Sequence, residues 1–104
     1  MNYTIYTAIR EKLNLKFLYK GKSLIIISPW VYGKRLDFFE MDEESILGFV
    51  FLKDFDEVAY IDYFPLCDIY DERIVSGDFF SPSSSENVLG QWNDIYISVT
   101  GKND

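Results

Sequence analysis

Apolar residues recur at helical spacing only at the start of the chain. Ile5, Ile9 and Leu13 fall at i, i+4 and i+8 with Ala8 beside them, and Asn2 or Thr4 can cap the first turn. The period then shortens to two. Leu15, Phe17 and Tyr19 alternate with Lys16, Leu18 and Lys20, which predicts a strand. Lys20-Gly21-Lys22 reads as a tight turn, and Ser23 to Ser28 carries the β-branched run of a buried strand that Pro29 should end. Trp30 to Tyr32 leads to Gly33, read as a second turn, then to a short strand from Leu36 to Met41. Asp42-Glu43-Glu44-Ser45 reads as a charged loop.

Ile46 to Leu52 is apolar on both faces, so a central strand is expected, with Gly48 marking a bulge or bend. Val58 to Tyr63 extends again. Phe64, Leu66 and Ile69 form another buried stretch around Pro65, in which Cys67 reads as a small core residue. Ser76 to Ser85 is the least ordered segment. A helical turn is expected from Glu86 to Trp92, followed by a final strand through Ile95, Ile97 and Val99. One short N-terminal helix followed by five to seven strands, with turns every few residues and no crossover helices, predicts a mainly β (α+β) fold. The expectation is a small antiparallel β-barrel forming one domain over residues 1–104.

Composition narrows the chemistry. The 104 residues are 48% hydrophobic and 18% aromatic, which argues against disorder and suits a small core filled by large rings. With no histidine and a single cysteine, the chain lacks the parts of a Ser-His or Cys-His nucleophile, of most metal sites and of an internal disulfide. The carboxylate groups Asp37/Glu40, Asp42-Glu43-Glu44, Asp54-Asp56-Glu57 and Asp68/Asp71-Glu72 read as solvated loops rather than acid–base pairs. Asp54-Phe-Asp56-Glu57 lacks the glycine and distal glutamate of a hand-type calcium loop. No phosphate loop is present. The expectation is therefore no catalytic residue, no metal and no cofactor. The apolar runs Leu24–Ile27 and Ile46–Leu52 are too short to span a membrane, and no secretion signal is visible, so the expected location is cytoplasmic.

The net charge of −7 hides a division. Residues 1–35 carry seven basic side chains against Glu11, a net +6; residues 36–104 carry three against sixteen acids, a net −13. One reading is that the two parts simply complement each other in space. The other is a site. Lys20 and Lys22 flank the first turn, and Trp30, Tyr32, Lys34 and Arg35 flank the second. Aromatic planes beside cations suit a small anion or the end of a single strand, although the overall charge disfavours long polynucleotides. The −13 part, rich in Phe and Tyr, supports a different class: an acidic protein-interaction surface, as in a small inhibitor, an immunity protein or a nucleic-acid mimic. A homodimer through exposed strand edges is a further expectation.

Over residues 5–80 the chain resembles the WYL family of bacterial and phage-associated regulatory domains. The resemblance rests on five pieces in order. The helix Ile5–Leu13 leads into Leu15-Lys-Phe17-Leu-Tyr19-Lys-Gly21, and Ile25-Ile-Ile27-Ser-Pro29 follows. Then come Trp30-Val-Tyr32-Gly33, Ile46-Leu47-Gly48-Phe49 and Phe64-Pro-Leu66-Cys-Asp-Ile69. It implies an SH3- or Sm-like barrel and a regulatory, ligand-binding role without catalysis. There are departures. The tripeptide that names the family would fall on Glu44-Ser45-Ile46. Leu24 and Ile25 stand where the second strand usually has a basic residue. Asp68 stands where the last motif has arginine. The family's winged-helix DNA-binding domain is not expected here, so the chain reads as a stand-alone module.

Overall fold

The computed structural model describes residues 2–36, 42–53, 56–83 and 92–99. One short helix and six antiparallel strands are seen among them: α1 (Tyr3–Glu11), β1 (Asn14–Tyr19), β2 (Ser23–Leu36), β3 (Asp42–Lys53), β4 (Asp56–Pro65), a 3₁₀ turn (Leu66–Asp68), β5 (Ile69–Val75) and β6 (Asp94–Ser98). The mainly β class with an N-terminal helix is thus observed. The strands form one sheet in the order β4-β3-β2-β1-β5, with β6 paired to β2. Among the described residues the sheet is not closed.

The Asn2 side chain caps α1 by accepting from the Ile5 N–H at 3.1 Å. The helix buries Ile5, Ala8 and Ile9. Its end comes earlier than the apolar spacing predicts. Lys12 turns left-handed at φ 56°, the Leu13 N–H bonds back to the Ala8 carbonyl at 2.8 Å, and Leu13 is left exposed.

Two expected stops are not stops. β2 runs through both Pro29 and Gly33. The register shifts between Pro29↔Gly48 and Val31↔Leu47, so Trp30 is the extra residue of a bulge, and the missing proline N–H is accommodated there. At Gly33 the neighbouring chain comes too close for any side chain. A Cβ would run into the Asp94 carbonyl and lie 2.9 Å from Ile95 Cα. Along its length β2 offers one edge to β3. Its other edge is divided, Ser23–Ile27 pairing with β1 and Val31–Lys34 with β6.

Further differences follow from pairing between distant segments. Glu43, Glu44 and Ser45 belong to β3, because β2 continues far enough to pair with them. β5 was not expected as a strand; its residues are mostly exposed, since it is an edge paired only to β1. Cys67 is exposed rather than in the core, because the 3₁₀ turn carries it outward beside Glu43. Beyond Leu36, which ends β2, the strand expected up to Met41 lies outside the described residues, as does the helical turn expected from Glu86 to Trp92 apart from Trp92 itself.

Because alternate residues of a strand face opposite sides, β2 and β3 serve two cores. Ile25, Ile27, Tyr32, Ile46 and Val50 join Ile5, Ala8, Ile9, Leu15, Phe17, Phe64 and Ile69 beneath α1. Phe64 meets Phe17 and Tyr19 edge-to-face, both at 5.2 Å. On the other side Trp30, Val31 and Leu47 pack with Phe49, Tyr63, Phe79, Trp92, Ile95 and Val99. The bulge lets the consecutive residues Trp30 and Val31 share that side. A polar chain pins the covering segment: Asn14 Nδ2 donates to the Asp78 carbonyl, the Ser28 hydroxyl to Asn14 Oδ1, the Phe80 N–H to Ser28 Oγ, and Trp30 Nε1 to the Phe80 carbonyl at 2.6 Å. No described helix is long and apolar enough to cross a membrane.

Candidate functional site

The six residues nominated from sequence separate into three places. Lys20 and Lys22 sit on the β1–β2 turn. Lys20 and Gly21 both have positive φ, at 57° and 69°, as a type I′ turn requires, and the Lys22 N–H closes it onto the Tyr19 carbonyl at 3.1 Å. This tip rests against acidic chain. The Lys20 N–H donates to the Asp68 carbonyl at 2.6 Å, and the Lys20 ammonium stands 5.3 Å from the centre of the Tyr19 ring. Burial, then the charges of Asp68 and Asp62 with Cys67 and Glu43, push the Tyr19 hydroxyl above its ordinary pKa.

Trp30 and Tyr32 are fully buried. Neither offers a ring face to a ligand. Trp30 fills the outer core, and Tyr32 spans the inner one to reach a polar cluster. The Tyr32 hydroxyl accepts from the Asn2 N–H at 2.9 Å and donates to Glu44 Oε1 at 3.5 Å. The Tyr96 hydroxyl donates to Glu44 Oε2 at 3.0 Å, and the two tyrosine rings meet edge-to-face at 4.9 Å. Burial, followed by the bond to Glu44 and its charge, pushes Tyr96 up to about 12, and burial raises Tyr32 as well. A raised tyrosine pKa stabilises the fold fully below the ordinary value of 10.0 and loses that contribution as pH rises towards about 12. Alkaline destabilisation is therefore expected across that interval. In Glu44→Gln the Tyr96 ring should ionise nearer its ordinary pH. Near-ultraviolet absorbance of tyrosinate checks both, and an unchanged titration in the variant would remove Glu44 as the cause.

Lys34 and Arg35 lie at the far end of β2 from the first turn. Lys34 stands opposite Glu44 on one side and Asp94 on the other, and Arg35 opposite Glu43. The Arg35 guanidinium lies 3.7 Å from the centre of the Tyr63 ring, and Tyr63 is 6.0 Å from Trp92. Among the described residues the buried Arg35 Nε has no hydrogen-bond partner. Stacking on a ring face supports the cation while leaving its in-plane donors directed elsewhere. Sequence reasoning did not find Tyr63 or Trp92 here. Tyr63 arrives because β4 pairs it with Leu47, and Trp92 because the chain returns to form β6.

A concavity of about 480 Å³ is lined by Phe49, Phe51, Glu57, Val58 and Ala59, none of them a cation. Among the described residues, no group of three or more acidic or cysteine side chains is placed to hold a metal. No family model matches the chain, and no curated protein or solved structure matches it either.

Proposed function

We propose that the chain is a cytoplasmic, non-enzymatic regulatory binding module of WYL-like type. Its ligand would be a small anionic, nucleotide-like molecule or a short nucleic-acid end. The observation that carries this reading is Arg35: a guanidinium stacked on the Tyr63 ring, with Trp92 against that ring. A guanidinium held flat against a ring suits a phosphate, and an aromatic ring beside it suits a base. Lys34, the next residue along β2, faces the other side of the sheet and adds positive charge only to this end of the strand. Trp30 and Tyr32 support this end of β2 from within. The strand order, in which β5 returns to β1 after a one-turn 3₁₀ connection, favours the SH3/Sm-like barrel architecture over a sandwich.

Isothermal titration of the full chain with AMP and with a short oligothymidylate tests the reading. Binding is expected, and Arg35→Ala should weaken it about tenfold or more, the loss of one charge-assisted contact. Absence of heat with both ligands, or equal binding by the variant, overturns it. The second reading, an acidic protein-interaction module, draws on Glu43, Asp62 and Asp68, which converge around Tyr19. Saturable binding of a basic peptide together with no response to AMP would favour that reading instead.

A further inference from the structure

Lys16 and Arg73 stand directly opposite each other on β1 and β5. In an antiparallel pair such residues share a face, and like charges placed there destabilise the sheet. Among the described residues neither cation makes an ion pair. Between them and the start of β2 lies a pocket of about 210 Å³ lined by Lys16, Phe17, Leu18, Leu24, Asp71 and Arg73. Leu18 and Leu24 are themselves a cross-strand pair, so the pocket has an apolar floor beside its two charges.

The backbone supplies a second, independent sign. Between Lys16↔Arg73 and Leu18↔Tyr70 the register slips, so that Asp71 and Glu72 together oppose Phe17. Asp71 is the residue of this bulge with φ 55°, a conformation usually left to glycine. Bulges re-aim side chains, and left-handed non-glycine residues concentrate where a side chain is needed at a cost in backbone strain. Here the strained residue contributes a carboxylate to the pocket.

We propose that this pocket binds a small organic monoanion with a short apolar tail. Two cations against one carboxylate leave a single positive charge to neutralise, which suits a monoanion and disfavours a phosphate dianion. The volume falls below the roughly 300–1,000 Å³ of sites for drug-sized molecules, which disfavours a nucleotide. The anion lies between Lys16 and Arg73, relieving their opposition, and the tail lies on Leu18 and Leu24. The site is distinct from the Arg35 site and independent of its ligand.

Methyl-detected NMR of the full chain, titrated with isovalerate, tests the proposal. Saturable shifts are expected at the Leu18 and Leu24 methyl groups. Isopentanol, with the tail but no charge, and inorganic phosphate, with charge but no tail, should each bind about tenfold more weakly or worse. The double variant Lys16→Gln/Arg73→Gln should lose the isovalerate response while keeping the rest of its methyl spectrum. Asp71→Gly, which fits the bulge without the carboxylate, should keep isovalerate binding and gain affinity for phosphate. No saturable shift, a response retained in the double variant, or phosphate binding as well as isovalerate before Asp71 is changed, overturns the proposal. Arg35→Ala should leave the isovalerate titration unchanged, so failure of the AMP experiment and failure of this one are separate results.

Discussion

Trp30→Ala should lower stability by about 3–5 kcal/mol, the usual cost of deleting a large buried aromatic side chain. The ring is fully buried in the outer core and stacks near Phe49 at 6.3 Å. Its Nε1–H also holds the Phe80 carbonyl, and Phe80 in turn stacks on Phe49 at 4.1 Å. Truncation therefore opens a cavity and loosens the segment that covers it. Against a typical total of about 5–15 kcal/mol, this brings the chain near its unfolding limit. Trp30→Phe keeps most of the volume and removes only the N–H, so about 1–3 kcal/mol is expected from the unpaired carbonyl and the imperfect fit. Urea titration measures both, with Trp92 as the remaining indole signal. A residue that stacks on ligands from the surface would behave in the opposite way, with little loss of stability and a large loss of binding. A cost below about 1 kcal/mol for Trp30→Ala would contradict its place in the core.

The second large effect concerns Gly33. Adding a single methyl group there sets it against backbone, the Asp94 carbonyl and Ile95 Cα, which cannot swing aside as a side chain would. In Gly33→Ala β6 should separate from β2, at a cost at or above the roughly 1–3 kcal/mol of ordinary overpacking. Four pairings connect these strands, from Val31↔Ser98 to Lys34↔Asp94. Hydrogen exchange gives a local reading. The amides of Ile95 and Ile97 should lose protection, while those of Ile25 and Ile27, paired to β1, keep theirs. Equal protection of the β6 amides in variant and parent would mean that the chain can absorb a Cβ at this crossing.

Trp30 and Gly33 also show where the sequence is readable. Helix α1 and strand β6 are visible in it because each is declared by its own residues: Ile5, Ala8 and Ile9 at helical spacing, Ile95 and Ile97 at strand spacing. Pro29 and Gly33 are local breakers, and taken locally they end a strand. They are retained within β2 because a bulge opposite Gly48 and a strand arriving from some sixty residues later make those residue types suitable. The candidate site follows the same division. The cations Lys34 and Arg35 are evident from the chain. The ring under Arg35, Tyr63, and its neighbour Trp92 are supplied by register and by the returning chain, and the intervening Trp30 and Tyr32 are removed to the two cores. An aromatic between basic residues looks like a stacking platform until both faces of the sheet are known to be covered. β5 was missed for the converse reason: as an edge, it buries too little to impose a pattern on Ile69–Val75.

The double-sided burial of β2 and β3 has a consequence for how this molecule can diversify. Along their middle, from Val31 to Tyr32 and from Ile46 to Leu47, a side chain faces one core or the other and almost never water. A substitution there acts on the whole fold at once. Freedom to change without that penalty is confined to the tips and edges: the Lys20–Lys22 turn, the Arg35 end of β2, and the outward positions of β4 and β5. Variants of this domain should therefore differ in what they recognise at its periphery while sharing an almost fixed central band, much as a lock series varies its wards around one unaltered barrel.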